Sequence, residues 1–340
     1  MATKVDRVRN AILKALSEDE RPAGAAKLTL RLRAMGMDIR PRTVRAHLLE
    51  LDREGFTVLV SRRHGRQLSE RGKRELTSVD AFSKLGYVAA KVDDLGYRMS
   101  YSVRSGRGTV VANLALIRDR DLSRALLHMA PAFRAELAIS NRLAVARAGE
   151  QIGGFTVPIG SVALATICSV TINGVFLSSG IPVKSRFGGL LEMRDGLPLR
   201  FVDVIEYRGT TVDPLEVFIG AGMTSVTKCA KTGNGIVGAS FREIPAGAVG
   251  AARRVLARLR ERGLSGEVAM GEGSMPLFDI PVTEGRTGLI ILGGLNPLAV
   301  LREEGIPATT RSLSGLADIS AFIPFEDAAM LGKRSYPYVD

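Results

Sequence analysis

A small winged helix-turn-helix followed by a larger mixed α/β (α+β) domain is the fold class this sequence predicts, and three observations predict it. Apolar residues recur with helical spacing in three short segments before residue 56, and a β-prone run with a basic turn follows them. Charge is concentrated in the same region: residues 1–78 hold 18 Lys and Arg against 10 Asp and Glu, so eight of the chain's net +12 lie in under a quarter of its 340 residues. Beyond residue 79, β-branched runs alternate with helical stretches and Gly/Pro turns, the texture of a mixed domain.

Val5, Val8, Ile12 and Leu16 make one apolar stripe, and Leu28, Leu32 and Met35, ending at Gly36, make a second. The third helix starts at Pro41, suited to a first helical position, and stops at Gly55, which supplies a left-handed residue after the cap. Val44, Leu48 and Leu51 form its buried face, leaving Arg42, Thr43, Arg45 and His47 to project elsewhere. Such a helix is about as long as one major-groove crossing requires. The run Phe56–Val60 then leads into Arg62-Arg63-His64-Gly65-Arg66, a turn of a basic wing, and Ser69 caps a last helix through Leu76.

Lys and Arg that neutralise phosphates release counterions, the main source of affinity for duplex DNA, so the expected partner of this head is double-stranded DNA. The candidate contacts are Arg40, Arg42, Thr43, Arg45 and His47 on the third helix, with Arg62, Arg63 and Arg66 on the wing. The expected organisation is a DNA-binding domain over 1–78 and an effector-binding and dimerisation domain over 79–340.

Two cysteines in 340 residues make no disulfide framework, and the start of the chain carries no apolar signal segment, so a cytoplasmic location is expected. No charged side chain occurs from Gln151 to Val183, a stretch long enough to cross a bilayer. Its Pro158, Pro182, repeated Gly and β-branched residues fit consecutive buried strands instead, so no membrane partner is expected.

In the larger domain, strands are expected at Thr109–Ile117 and within 155–176, 201–207, 215–219 and 288–292, with helices opening at Leu122 and covering Ala251–Arg262. An internal echo runs through it. Asn173, Gly180-Ile-Pro182 and Arg186 recur in order as Asn296, Gly305-Ile-Pro307 and Arg311, which suggests two related half-domains.

Catalytic chemistry is sparse. His128, the only histidine after the head, sits on an Ala/Leu-rich helix and reads as structural. Cys168 and Cys229 stand apart with no metal or redox spacing, so neither metal nor cofactor is expected. Gly233-Asn-Gly235-Ile-Val-Gly238 matches a dinucleotide fingerprint in letters only. No acidic ribose partner follows, and its glycines read as a tight loop. The domain offers instead the chemistry of a small-anion pocket. Cys168, Ser169, Thr171 and Asn173, read as ending an apolar strand, bring thiol, hydroxyl and amide groups. Thr224, Ser225 and Arg242 present a similar mixture, and Arg186 and Arg311 supply carboxylate-binding forks.

At Ile39–Leu48, Cys168–Gly174, Gly180–Pro182, Asp213–Ile219, Met223–Val226, Ala239–Pro245 and Gly293-Gly-Leu-Asn-Pro297 the chain resembles the NrpR-type nitrogen regulators of methanogens and some other prokaryotes, over nearly its whole length. The resemblance implies a repressor of nitrogen-assimilation genes, released by 2-oxoglutarate as effector ligand, and no enzymatic activity. Asn296 joins the effector-binding candidates on the same motifs. Some members carry two effector domains or divide the parts between polypeptides, where this chain has one of each. The expected assembly is a homodimer whose paired winged helices engage two half-sites. Two other readings remain at this stage: a winged-helix regulator sensing another small anion or thiol redox state through Cys168, and an enzyme carrying a DNA-binding regulatory head.

Overall fold

In the computed structural model residues 4–17, 22–34, 37, 39–61, 63–73 and 87–333 are described, and the chain divides into two compact units, Met1–Leu85 and Gly86–Asp340. The first unit is a winged helix. Helices α1 (Lys4–Ser17), α2 (Ala25–Ala34) and α3 (Pro41–Arg53) precede an antiparallel pair of strands, β1 (Thr57–Ser61) and β2 (Gly65–Leu68). Its core is the set of residues that the apolar spacing selects: Ile12 and Leu16 from α1, Leu28 and Leu32 from α2, Val44, Leu48 and Leu51 from α3. Gly55 adopts φ +77 and turns the chain out of α3, the conformation a side chain would resist. Ser69 opens a helical turn over 70–73, its Oγ accepting from Gly72 N at 2.9 Å. The side chain of Val5, together with Met35, Gly36, Arg62 and residues 74–76, lies outside the described residues.

The second unit begins with α4 (Tyr87–Arg98) and continues β3 (Thr109–Arg118), α5 (Leu122–Arg134), β4 (Arg142–Ala146), a small hairpin β5 (Gln151–Ile152) and β6 (Phe155–Thr156), then β7 (Ser161–Ile167) and α6 (Val170–Ser178). Strands β8 (Lys184–Arg194) and β9 (Leu197–Glu206) follow, with helices α7 (Pro214–Gly220) and α8 (Val226–Thr232). The remainder is β10 (Gly235–Pro245), α9 (Val249–Glu261), β11 (Glu267–Met270), β12 (Arg286–Leu292), α10 (Asn296–Glu303), β13 (Ala308–Asp318), β14 (Ile323–Pro324) and α11 (Phe325–Lys333).

Two five-stranded antiparallel sheets result, in the orders β13-β3-β7-β4-β14 and β11-β12-β10-β8-β9, and one apolar core joins both with α5 to α11. The orders expose a duplication. Each half runs long strand, single 3-10 turn, helix of 13 residues, short strand, strand of 7 residues, short helix, Gly-Ile-Pro, strand of 11 residues. The last strand of each half then crosses over: β8 pairs with β10 and β13 with β3, so each sheet is completed by the other half. Equivalent atoms repeat as well. Cys168 N donates to Val111 O and Gly293 N to Gly238 O, both at 2.7 Å. Val111 N donates to Thr171 Oγ1 at 3.1 Å, and Gly238 N to Asn296 Oδ1 at 2.8 Å. The structural partner of Asn296 is therefore Thr171 rather than Asn173, two residues from the match that the letters suggest.

Two expected strands are helices. Residues 170–176 form most of α6, whose every side chain from Val170 to Phe176 is buried. A helix wrapped in protein has no polar face, so its period is invisible in the sequence. Residues 215–219 lie in α7, where Asp213 caps the helix, accepting from Leu215 N at 2.9 Å, and Pro214 takes the first turn. Capping outweighed the β propensity of Leu, Val, Phe and Ile there. Gly233, at φ +73, ends α8, and the glycine run leads into β10, so the loop reading holds and no helix follows it.

Candidate nucleic-acid interface and effector site

Helix α3 buries Val44, Leu48 and Leu51 completely and leaves Arg40, Arg42, Thr43 and Arg45 exposed. None of these four side chains has a hydrogen bond or ion pair among the described residues, so their donors are available to phosphate or base edges. Arg40 occupies the N-cap with no capping bond from its side chain, leaving a cation at the helix start. Arg63 is exposed at the wing tip, and Arg62 lies outside the described residues.

Two of the candidates are withdrawn from that face. His47 retains only 14% side-chain exposure, its Nδ1 turned to Glu50 at 3.5 Å. Arg66 donates from Nε to Asp52 Oδ2 at 2.6 Å, and Asp52 also accepts from Thr57 Oγ1. That pair ties β2 to α3, so Arg66 holds the wing against the helix. If Arg42 and Arg45 meet phosphates, the Arg42→Ala, Arg45→Ala double variant lowers the slope of log affinity against log salt by about two. A titration series from low to moderate salt reads that slope, and an unchanged value removes both residues from the interface.

In the second unit the structure gathers only part of the predicted effector set. Arg242 on β10 is 1% exposed, and its Nη2 donates to Ser169 Oγ at 2.9 Å. Its Nε and Nη1 are buried with no partner among the described residues. Burial pulls its basicity down, against a smaller upward pull from Tyr207 and Cys168. Asn173 Nδ2 donates to Ser185 Oγ at 2.9 Å, and Ser185 is the β8 residue paired with Arg242. The buried Asn173 Oδ1 has no partner among the described residues. Helix α4 covers this cluster, Val88, Val92 and Leu95 packing with Cys168, Val170, Tyr207 and Leu313. Backbones approach closely beneath it: a Cβ on Gly174 of α6 would come within 2.6 Å of Gly96 O.

Cys168 is wholly buried, and its thiol is pushed up to about 11 by burial. A thiol so little ionised at neutral pH is a poor nucleophile and a poor oxidant target, which counts against redox sensing. Asp213 is buried beside it, its carboxyl pushed up to about 6 by burial against the lowering pull of its two backbone hydrogen bonds.

Asp213 also borders an open cleft of about 380 Å3 with Lys91, Arg311, Ser312 and Ser314 on its walls. Here the duplication is informative. Arg186 and Arg311 occupy equivalent positions, but Arg186 Nη1 is held by Glu243 Oε1 at 2.9 Å and by Pro281 O. The position equivalent to Glu243 in the other half is Leu116, so Arg311 lacks that carboxylate and lies over the Phe155 ring at 5.1 Å instead. Glu216, also on the cleft wall, accepts from the N–H and hydroxyl of Ser312.

The remaining predicted effector residues serve the fold. Thr171 and Asn296 fasten the two long strands as described above, and Asn296 Nδ2 also reaches Leu137 O and Gly238 O, each at 3.0 Å. Thr224 Oγ1 donates to Glu303, whose carboxylate closes the start of α8 through Val226 N and Thr227 N. Ser225 Oγ accepts from Ile236 N. Arg186 is neutralised. His128 lies 3.0 Å from Glu304, the structural role expected for it. Lys91, Ser185, Tyr207 and Asp213 border the site without having been singled out. The Asp213-Pro214 capping signal was the one sequence cue for any of them.

The match to known proteins is extensive. The family description "NrpR regulatory domains NRD1 and 2" covers residues 85–323, and a ribonuclease R winged-helix domain description covers residues 10–76. The chain belongs to the NrpR family of nitrogen regulators. Global nitrogen regulator NrpRI of Methanosarcina mazei is 31% identical over 94% of this chain and 98% of that protein. Global nitrogen regulator NrpR of Methanococcus maripaludis is 28% identical over 91% of this chain but only 54% of its own length. A crystal structure of a nitrogen repressor-like protein from Methanococcus jannaschii superposes with a TM-score of 0.59 at 28% identity, covering 69% of this chain and 97% of that one. The NrpR family is one of transcription regulators rather than enzymes, which sets aside the regulatory-head reading. Among the described residues no helix is long and apolar enough to cross a membrane, and the uncharged stretch 151–183 is spent on the hairpin, β7 and α6.

Proposed function

We propose that this chain is a cytoplasmic, DNA-binding repressor of nitrogen-assimilation genes that acts as a homodimer and is released by 2-oxoglutarate. The observation that carries the proposal is the exposed Arg40, Arg42, Thr43 and Arg45 face of α3, set on a fully buried apolar stripe in a chain of the NrpR family. Clustered cations on a helix that fits the major groove bind duplex DNA through phosphates and reserve some donors for base edges.

The effector reading rests on two arginines. Arg242, buried and not itself on the cleft wall, is a cation whose Nε and Nη1 have no partner among the described residues, and Arg311 lines the cleft without the carboxylate that holds its counterpart Arg186. A buried charge is costly unless it is compensated, and a ligand carboxylate compensates it. A dicarboxylate suits the pair of cations Lys91 and Arg311 on the cleft walls. Helix α4 contributes Tyr87, Val88 and Lys91 to that cleft, and it is the first helix of the second unit among the described residues. Ligand contacts there bear on the segment that leads to the head.

Titration of operator DNA with the full chain, alone, with 2-oxoglutarate and with succinate, tests the proposal. Weaker DNA binding with 2-oxoglutarate only is expected, and the coupling is reciprocal: a tenfold loss is about 1.4 kcal/mol and DNA weakens the effector equally. Superimposable curves in all three would remove the inducer, and no DNA binding at low salt would remove the repressor.

A further inference from the structure

Three of the four edges of the two five-stranded sheets are short or covered. Strand β11 has 4 residues and β14 has 2, while β13 is abutted by the β5–β6 hairpin, where a Cβ on Gly315 would meet Gly153 O at 2.3 Å. Strand β9 differs. It is 10 residues long, is bonded to β8 on one side only, and leaves Leu197, Leu199, Val202 and Val204 at 70%, 39%, 37% and 47% exposure. Its attachment to its own core is slight: Phe201 sits edge-on to Phe187 at 5.1 Å, and Ile205 is half-buried.

The duplication sharpens the contrast. In the second half, β13 runs straight into a 3-10 turn and then β14, with no return strand like β9. The first half alone has acquired a long apolar strand that its own core scarcely uses. Long uncovered edges with apolar side chains invite pairing with another chain; Pro198 and two register irregularities against β8, at Leu199 and Val202, interrupt β9, yet its length and its four exposed apolar side chains remain.

We propose that β9 is the homodimerisation strand, pairing antiparallel with β9 of a second copy so that two five-stranded sheets become one continuous sheet. A second copy is the occupant because β9 is complementary to itself. Arg200 and Asp203 lie on one face of the sheet, since their β8 partners are Glu192 and Leu190, two residues apart. Antiparallel pairing about an axis between them sets each Arg200 against Asp203 of the other copy, and Leu199 beside Val204. Asp203 has no ion pair among the described residues, and Arg200 engages Glu192 through Nε at 2.9 Å, leaving its outer nitrogens for a second carboxylate. Like strands of this kind form the self-complementary contact that a two-fold dimer requires.

The assembly proposal rests on the homodimer of the proposed function and stands apart from its effector reading: a monomeric parent removes both, and a dimer indifferent to the β9 changes removes the strand's role alone. Sedimentation velocity of the full chain tests it on the parent, Val204→Lys, Asp203→Arg and, as a control in the apolar groove between α5 and α11, Leu127→Lys. All three sites are exposed, so melting temperatures close to the parent's are expected. The parent is expected to be dimeric, with at least a tenfold higher dissociation constant in Val204→Lys and in Asp203→Arg, which opposes Arg200 with another cation. Leu127→Lys is expected to remain like the parent. A monomeric parent, or a dimer indifferent to both β9 changes, overturns the proposal. So does a dimer broken by Leu127→Lys alone. Dissociated β9 variants that still bind operator DNA as tightly as the parent would leave the strand's role intact while removing dimeric DNA binding.

Discussion

Asn296→Ala is expected to destabilise the second unit by about 3–5 kcal/mol. The amide is fully buried and makes three hydrogen bonds: Oδ1 from Gly238 N, and Nδ2 to Gly238 O and Leu137 O. Removing it strands the Gly238 N–H on the central strand of one sheet and the Leu137 carbonyl after α5. Each orphaned buried group costs about 1–3 kcal/mol, and the space left behind adds to that. Asn296→Thr provides the internal control, because Thr171 performs the same task at the equivalent place with a hydroxyl that accepts from Val111 N. Threonine is expected to recover part of the loss. Urea unfolding followed by far-ultraviolet circular dichroism measures both, and a loss under about 1 kcal/mol for alanine contradicts the fastening role.

Which parts of this fold could be read from the sequence follows from where the chain meets water. The winged helix is small, so each of its helices has a wet face, and the apolar spacing of Val44, Leu48 and Leu51 named its buried side correctly. In the larger unit α6 and α10 are enclosed by protein, and the side chains of both are nearly all buried. Periodicity has nothing to report there. The repeated Gly-Ile-Pro signalled two halves because that turn serves the same junction twice, between a buried helix and a crossing strand. Crossing itself was not legible: an exchange of β8 and β13 between halves changes no local pattern, only which distant strand each one meets.

The candidate site was legible in its residue types and illegible in its pairings. Cys168, Ser169, Asn173 and Arg242 do come together, because the turn after β7 carries the first two and the opening of α6 carries the third to the face of β10 that bears the fourth. Arg186 and Arg311 look identical in sequence, each four residues after the proline of Gly-Ile-Pro. The distinction lies in β10 and β3, where Glu243 answers one arginine and Leu116 stands before the other. Burial pushes Glu243 up, yet bonds from Thr283 and Arg186 outweigh it and hold the carboxyl below the usual range. Lys91 and Tyr207 were missed for a similar reason. Nothing in a lone lysine marks it as facing a cleft built from distant segments, and nothing in a lone tyrosine marks it as buried near an arginine.

Arg242→Met is expected to separate stability from sensing. The guanidinium is almost wholly buried, and of its three nitrogens only Nη2 has a partner among the described residues, the neutral hydroxyl of Ser169. The nearby acidic side chains offer little relief: burial raises Tyr207 and Cys168 far from ionisation at neutral pH. A buried, poorly compensated cation weakens the unliganded fold, and replacing such groups with apolar residues of similar volume is often neutral or stabilising by about 1–4 kcal/mol. Without effector, the R242M variant should therefore melt at or above the parent. Its second consequence runs the other way: with the charge gone, a ligand carboxylate gains nothing from that quarter, so the thermal shift caused by 2-oxoglutarate should shrink or vanish while operator affinity in its absence is kept. A variant that melts well below the parent would mean that the arginine is already compensated and belongs to the scaffold, and an undiminished shift would place the effector away from it, leaving Lys91→Gln and Arg311→Gln as the substitutions that must abolish the response.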